Sequence, residues 1–326
     1  MSLARTEEQQ LLAGTVRSLL DKHSPSAAVR TAMTSGPGYD EALWRTLCEQ
    51  VGVAALAVPE EYGGFGASLV ETGVVLEELG ANLAPNPLLA TGLATAALRL
   101  LGTAEQRAAL LPRIASGELA TVVLDPGLVL EPRADLVLYP EPGGLRPADR
   151  SGAGLEPVEA VDPTLRLGRT AVSVCPPGPL VDVAATLVCA LQVGAMQRGL
   201  DMTVGYTGQR VQFGRPIGSF QALKHRMADM LVLVEASRSA SWAAVAAASA
   251  YVEQAGADRA EVLHERAAIA RSYCSDALDQ VAAETVQLHG GIAITWEHDA
   301  QLVFKRAHAL AHLLGPAHRW RAAALD

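Results

Sequence analysis

Apolar residues recur at three- and four-residue intervals through the first third of the chain, which is the spacing of a helix with one buried face. In the first such segment Leu11, Val16 and Leu20 fall on one side, with polar residues opposite. Pro and Gly residues predict a break over 58–68. The pattern predicts helices over 7–22, over 40–47 with Asp40 as the cap, and over 69–79, 89–101 and 104–115.

The chain then changes character. Between residues 118 and 174 Pro and Gly become frequent, and short β-branched runs appear. Turns this close together leave room for strands but not for helices. We predict strands at TVVL (121–124), LVLYP (136–140), GLEPVEAVD (154–162) and RTAVSV (169–174).

Long helical patterns return after residue 179 and predict helices near 180–210, 219–253, 258–288 and 299–313. Four long antiparallel helices with short connections form a bundle. The predicted fold class is mainly α. We expect an N-terminal helical domain (1–118), a reduced middle β-domain (119–178) and a C-terminal four-helix bundle (179–326).

The most apolar segment, 180–196, is interrupted by Asp182, Thr186 and Gln192. A membrane span needs ~20 nearly uninterrupted apolar residues, so we predict a buried core helix and no span. The N-terminal residues lack the basic and apolar regions of a signal peptide. These features predict a cytoplasmic protein.

Composition and charge narrow the class further. Aromatic residues make up 4% of the 326 residues, and Ala and Leu are abundant, which favours helix. The formal net charge of −9 argues against a nucleic-acid partner, because phosphate binding uses a basic surface. The four Cys residues form no CxxC pair, and no His, Cys or carboxylate cluster has metal-ligand spacing. We therefore expect reduced thiols and no metal.

Two helix junctions carry residues suited to binding. In 209–230, Arg210 ends one long helix, glycines make the connection, and the next helix opens near Ser219. A guanidinium beside the free N–H groups of a helix start can hold a pyrophosphate. The competing interpretation is a plain turn with surface arginines, and physics alone favours it.

The second junction lies in 287–307. Gly290 and Gly291 end a long helix and permit another group to approach the backbone closely. A glycine cap with nothing bound is again the simpler interpretation.

Together, the two junctions resemble the signatures of the acyl-CoA dehydrogenase family. The first matches R-x-x-F-G-x-x-I-x-x-x-Q followed by A-D-M, and the second matches Q-x-x-G-G, with Ala293 in place of a third glycine. The motifs TEEQQ, VPEEYGGFG, VLEELG and LLPRIASGE in the first third are also similar to the family, in the same order.

The resemblance implies a family fold of helical domain, β-domain and four-helix bundle, usually assembled as a dimer or tetramer. It also implies FAD-dependent α,β-desaturation of an acyl-CoA thioester, with electron-transfer flavoprotein as electron acceptor. In the family, residues at these motifs reach an FAD held mainly by the neighbouring subunit, with the arginine at the pyrophosphate. The carried-over cofactor residues are Arg210, Gln212, Phe213, Phe220, Gln221, Gln287, Gly290 and Gly291.

The chain departs from the family at the catalytic base. The two positions where the family places its glutamate are occupied here by Ala184 and Leu314, neither of which takes a proton. Asp182 is two residues from the first, but that shift turns a helical side chain by roughly 200°. The middle segment also lacks the motifs that hold the flavin ring. The chain thus resembles the smaller, base-lacking subunit of actinobacterial two-component acyl-CoA dehydrogenases, a branch that handles steroid side chains and other bulky acyl-CoAs.

Three hypotheses follow. The first is a non-catalytic, FAD-sharing subunit that pairs with a longer paralogue or with itself. The second is a self-sufficient dehydrogenase with a relocated base, for which Glu284, Glu297 and Asp299 are candidates, although we expect Asp299 to cap the last helix. The third is a relative that binds an acyl thioester without redox chemistry.

Other polar residues carry simpler expectations. His225 and His289 are expected to be satisfied by local hydrogen bonds, and Ser219 lacks the partners of a nucleophile. Arg306, Arg319 and Arg321 could meet CoA phosphates, but we expect a solvated basic face. The identity of the acyl group is not encoded in any motif.

Overall fold

The computed structural model describes residues 5–125, 127–172, 174 and 177–325. Six helices come first: α1 (Glu7–His23), α2 (Ser26–Thr34), α3 (Glu41–Gln50), α4 (Leu69–Asn82), α5 (Leu88–Leu101) and α6 (Ala104–Ala115). Six strands follow: β1 (Ala120–Asp125), β2 (Leu128–Leu130), β3 (Leu136–Glu141), β4 (Gly144–Asp149), β5 (Leu155–Val158) and β6 (Leu167–Thr170). The rest comprises α7 (Gly178–Gln209), the hairpin β7 (Val211–Gln212) and β8 (Arg215–Pro216), α8 (Gln221–Glu253), α9 (Ala257–His289), α10 (Ala300–His312) and α11 (Ala317–Ala323).

Side-chain caps set the starts of several N-terminal helices. The Asp40 carboxylate accepts the N–H groups of Ala42 and Leu43, which confirms the predicted cap. Thr6 forms a capping box with Gln9 at the start of α1. The sequence prediction missed α2, because this nine-residue helix follows Pro25 and has no side-chain cap.

The six strands form one sheet in the order β4-β3-β1-β2-β6-β5. Strands β1 and β3 are parallel, and the other pairs are antiparallel. The strand predicted at 169–174 instead lies at Leu167–Thr170, and part of the predicted range is outside the described residues. Strand β4 was not predicted, because it contains Pro147, which a sheet tolerates at its edge.

The four predicted bundle helices are α7 to α10, with ends within two residues of those expected. They and the sheet give the mainly α fold predicted from the sequence. The order of elements also supports our proposal that residues 1–118, 119–178 and 179–326 are separate units.

Helices α7 and α8 are long and apolar enough to cross a membrane by length and composition alone. The most apolar window of α7 is 89% buried within the protein, so its composition is that of a core helix. The corresponding window of α8 is 33% buried, and it leaves Leu231 and Val232 exposed.

Helix α4 crosses α7 at two glycines. A Cβ at Gly194 would lie 1.9 Å from the Glu77 carbonyl oxygen, and one at Gly80 would lie 2.3 Å from the Leu191 carbonyl oxygen. Any larger residue would force the two backbones apart.

A buried ion pair ties the sheet segment to the bundle. Arg306 is 1% exposed, and its Nε donates to the Asp162 carboxylate at 2.8 Å. Its Nη2 donates to Thr164 and, at 3.4 Å, to the Leu83 carbonyl. The expectation of a solvated face for Arg306 was therefore wrong, because a fully buried partner on a distant segment neutralises it.

We predict that Gly194→Ala destabilises the protein by roughly 1–3 kcal/mol, because the added methyl overpacks the α4–α7 crossing. Gly205→Ala on the same helix is the control: its Cβ would meet nothing within 4 Å. It should be neutral or stabilise by up to about 1 kcal/mol through helix propensity. Thermal unfolding of both variants tests this, and equal melting temperatures would contradict it.

Candidate cofactor site

A tight hairpin follows the end of α7. Phe213 (φ 53°) and Gly214 (φ 77°) both have positive φ, as a two-residue type I′ turn requires. The Ile217 N–H donates to the Arg210 carbonyl at 2.8 Å and closes the hairpin. Phe213 is therefore held out into solvent, 92% exposed, on a backbone conformation that side chains of its type rarely adopt.

The hairpin leads into the start of α8. Phe220 occupies the N-cap and offers no side-chain hydrogen bond. Within the described residues the N–H groups of Gln221 and Ala222 are therefore uncapped, whereas the Leu223 N–H donates to the Phe220 carbonyl at 3.1 Å. The Arg215 guanidinium lies 4.0 Å from the centroid of the Phe220 ring, and Phe213 meets that ring edge-on at 6.2 Å. The sequence prediction missed Arg215. The Gln221 amide contacts His225 at 2.9 Å, a local hydrogen bond of the expected kind.

The second junction also has the predicted form. Helix α9 ends at His289, and Gly290 follows with φ 67° and ψ −148°, a conformation that favours glycine. A short 3₁₀ turn, Gly290–Ile294, comes next. A Cβ on Gly290 or Gly291 would meet no atom within 4 Å, so open space borders both residues.

The structure brings the two junctions to one end of the bundle. The ring of Tyr206, in the last turn of α7, stacks on His289 with 4.5 Å between centroids. Arg226 near the start of α8 donates to Glu284 near the end of α9 at 2.6 Å. The predicted cofactor residues therefore share one region.

Three of the predicted side chains stay unengaged there. Arg210, Gln212 and Gln287 are exposed, and within the described residues their side chains make no hydrogen bond. They are free to meet a ligand or a partner chain.

The loop between the second junction and α10 corrects one prediction. The Asp299 side chain does not cap α10, because it accepts from Ser26 at 2.6 Å and Arg30 at 2.7 Å and lies 3.3 Å from Arg198. Burial alone would raise the pKa of Asp299, but these hydrogen bonds and positive charges lower it. The His298 Nδ1 accepts the Ala300 N–H instead, at 3.2 Å.

The two positions where the resemblance implies a base hold apolar side chains. Ala184 is fully buried on α7. Leu314 lies between α10 and α11 with φ 62°, half-buried, and its carbonyl accepts from Trp320 at 3.1 Å. The buried Arg271 fixes the preceding turn by donating to the carbonyls of Leu310 and Leu313, both at 2.5 Å.

The nearby carboxylates are poor replacements for a base. Asp182 is buried and lies 3.1 Å from His264 on α9. Burial raises the pKa of Asp182, and the contact with His264 lowers it. Glu284 is engaged by Arg226, and Glu297 is exposed on the loop.

Comparison with known proteins identifies the family. Residues 180–321 match the C-terminal domain of acyl-CoA dehydrogenases, and residues 6–118 match the N-terminal domain. The chain is 49% identical to "Acyl-CoA dehydrogenase IpdE2" of Mycobacterium tuberculosis over 94% of this chain and 93% of that protein. The chain belongs to the acyl-CoA dehydrogenase family, FAD-dependent oxidoreductases that act on the CH–CH bond of acyl-CoA.

Solved structures agree with this fold. The "Tcur3481-Tcur3483 steroid ACAD G363A variant" superposes with a TM-score of 0.85 at 30% identity, covering 98% of this chain and 97% of that one. The ChsE4-ChsE5 complex from Mycobacterium tuberculosis gives 0.83 at 25% identity, covering 98% and 96%. The mainly α fold inferred from motifs is confirmed.

We predict that Ala184→Glu destabilises the protein by at least about 3 kcal/mol without creating dehydrogenase activity, because a carboxylate would be buried unpaired in a packed interface. Ala184→Gln adds a side chain of the same size without the charge, so it should destabilise the protein less than Ala184→Glu does. Leu314→Glu, at a half-buried position, should cost about 1 kcal/mol or less. Chemical denaturation measures all three, and wild-type stability for Ala184→Glu would contradict this account.

Proposed function

We propose that this chain is the non-catalytic, FAD-sharing subunit of a heteromeric acyl-CoA dehydrogenase that desaturates an acyl-CoA between Cα and Cβ. One contrast carries the proposal. Arg210, Gln212 and Gln287, which the family resemblance places at a neighbour's cofactor, are exposed and make no side-chain hydrogen bond within the described residues, whereas both expected base positions hold side chains that take no proton.

The first junction suits the pyrophosphate and adenosine half of FAD. Arg210 offers an unpaired guanidinium, and the uncapped start of α8 offers backbone N–H groups, two donor types suited to a pyrophosphate. Phe213 presents an exposed ring for stacking. We therefore assign Arg210, Gln212, Phe213, Phe220 and Gln221 to this half.

The second junction supplies the remaining contacts. Open space at Gly290 and Gly291 lets a ligand approach the backbone, and Gln287 adds a neutral hydrogen-bonding arm beside them. Bound FAD would supply the redox chemistry by accepting hydride from Cβ of the substrate. The residues of this chain then bind and orient, and the proton from Cα goes to a carboxylate of the other subunit.

Exposed apolar side chains on α8 and α9 suit a partner subunit. They are Leu231 and Val232 on α8 and Val262, Ile269 and Tyr273 on α9. Several exposed apolar side chains on long helices are typical of a protein–protein interface. We propose that a longer paralogue occupies it, and that this subunit pairs with itself when that paralogue is absent.

The comparisons support a steroid-type substrate class. One of these structural relatives is a steroid acyl-CoA dehydrogenase, and another is a complex of two differently named chains. We propose bulky acyl-CoA thioesters as substrates, electron-transfer flavoprotein as electron acceptor, and the cytoplasm as the location.

The test is the visible spectrum of the chain purified alone and after co-expression with its longer paralogue. We expect a flavin band near ~450 nm only after co-expression. A full band in the lone chain, bleached by an acyl-CoA, would instead identify a self-sufficient enzyme. A colourless protein in both preparations would identify a relative without redox chemistry.

Arg210→Ala in the co-expressed complex should weaken FAD binding by roughly tenfold or more, because a charge-assisted contact to the pyrophosphate is lost. Arg45→Ala, at an exposed arginine on α3, is the matched control and should leave affinity unchanged. FAD content and affinity are measured by flavin fluorescence. Equal FAD affinities in the two variants would contradict the assignment of Arg210 to the FAD site.

A further inference from the structure

Three aromatic rings form a stack beside the Gly290–Ile294 turn. The His289 ring lies 4.5 Å from Tyr206 and 4.6 Å from His298, centroid to centroid. Tyr206 and His298 meet edge-on at 6.3 Å. The rings come from the end of α7, the end of α9 and the loop before α10, so the stack joins three elements.

Hydrogen bonds assign a neutral tautomer to each imidazole. The His289 Nδ1 donates to the Thr285 carbonyl at 2.7 Å, so its proton sits on Nδ1, and its buried Nε2 makes no hydrogen bond within the part of the chain that the structure describes. The His298 Nδ1 accepts the Ala300 N–H, so its proton sits on Nε2. A second proton on His298 would place two N–H groups head to head at the start of α10.

The surroundings disfavour protonation of both rings. Burial lowers the pKa of His289. The carbonyls of Thr285 and Met202 raise this pKa, and the charge of His298 lowers it. Burial also lowers the pKa of His298.

Charged groups from three elements face His298. Asp299, at the start of α10, raises its pKa, whereas Arg198 on α7 and Arg30 on α2 lower it. Asp299 forms ion pairs with both arginines, so its negative charge is largely neutralised by them. The phenol ring of Tyr206 faces both imidazoles.

The stack touches both halves of the candidate site. His289 immediately precedes Gly290, which begins the turn. Tyr206 lies one turn before Arg210, and its ring packs the last turn of α7 against His289. A movement of the His289 ring would therefore displace the glycine turn and change the packing of the helix end that carries Arg210.

We propose that Tyr206, His289 and His298 are positioning residues that hold the Gly290–Ile294 turn and Arg210 in place only while both imidazoles are neutral, so that mild acidification loosens the turn and weakens the hold on the cofactor. The identity of the ligand rests on the proposed function, but the loosening of the turn does not.

The direction with pH follows from linkage. Both histidines have a pKa below the ordinary value of 6.5 in the folded protein. Their unfolded forms therefore bind protons first as the pH falls. The stability of the ordered turn is fully present above pH 6.5 and is lost as the pH falls through the lowered values.

Hydrogen exchange at residues 290–294, corrected for intrinsic rates, tests the loosening in the chain without FAD. Between about pH 7.5 and about pH 5, protection should fall by about tenfold, the effect of losing a hydrogen bond of ~1.4 kcal/mol. Unchanged protection in the wild-type chain overturns the proposal, whatever the ligand is.

Asparagine variants identify the histidines whose protonation loosens the turn. His298→Asn retains an acceptor for the Ala300 N–H and His289→Asn retains a donor for the Thr285 carbonyl, but neither titrates. Each single variant should keep a reduced pH response from the remaining histidine, and the double variant should show protection independent of pH over this range. His318→Asn, at an exposed histidine on α11, should behave as wild type. A wild-type pH response in the double variant overturns the proposal.

FAD release from the co-expressed complex separates this inference from the proposed function. Retention in wild type should fall with the same pH dependence, whereas in the double variant His289→Asn/His298→Asn it should not change with pH. A loosened turn in a complex that never held FAD contradicts only the proposed function, whereas FAD release without loosening contradicts the positioning role.

Discussion

The close crossing of helices α4 and α7 determines the position of everything at the candidate site. Gly80 and Gly194 let the two backbones meet without intervening side chains. Helix α7 is continuous over 32 residues, so its rotation at this crossing fixes the direction of every residue along it. The same rotation buries Ala184 in the first half of α7 and places Tyr206 and Arg210 at its exposed end.

The two ends of α7 are consistent with the divided function that we propose. Where the family can carry a base, this helix carries a methyl group packed into the core, with no room for a carboxylate. The other end carries an arginine and a phenylalanine that are exposed to solvent, next to the start of α8. On the proposed function, this chain binds part of the cofactor and orients it, and the base comes from another chain.

The sequence predicted the long helices well, because many turns of apolar periodicity and the Asp40 cap agree with each other. It missed α2 and α11, which are too short for a period to emerge, and β4, which resembles a loop because of Pro147. The motif residues were found by resemblance, since Arg and Gly at turns carry no distinctive signal. Charge partners were not predictable: Arg306 and Asp299 find theirs on distant segments. The stack of Tyr206, His289 and His298 likewise has no signature in spacing.

The central claim is that the cofactor is shared between this chain and a complete partner. Native mass spectrometry of the co-expressed complex, without denaturation, counts chains and FAD molecules together. The account predicts an assembly of two kinds of chain with fewer FAD molecules than polypeptides, and loss of FAD when the complex dissociates. An assembly of this chain alone that carries one FAD per polypeptide would contradict it.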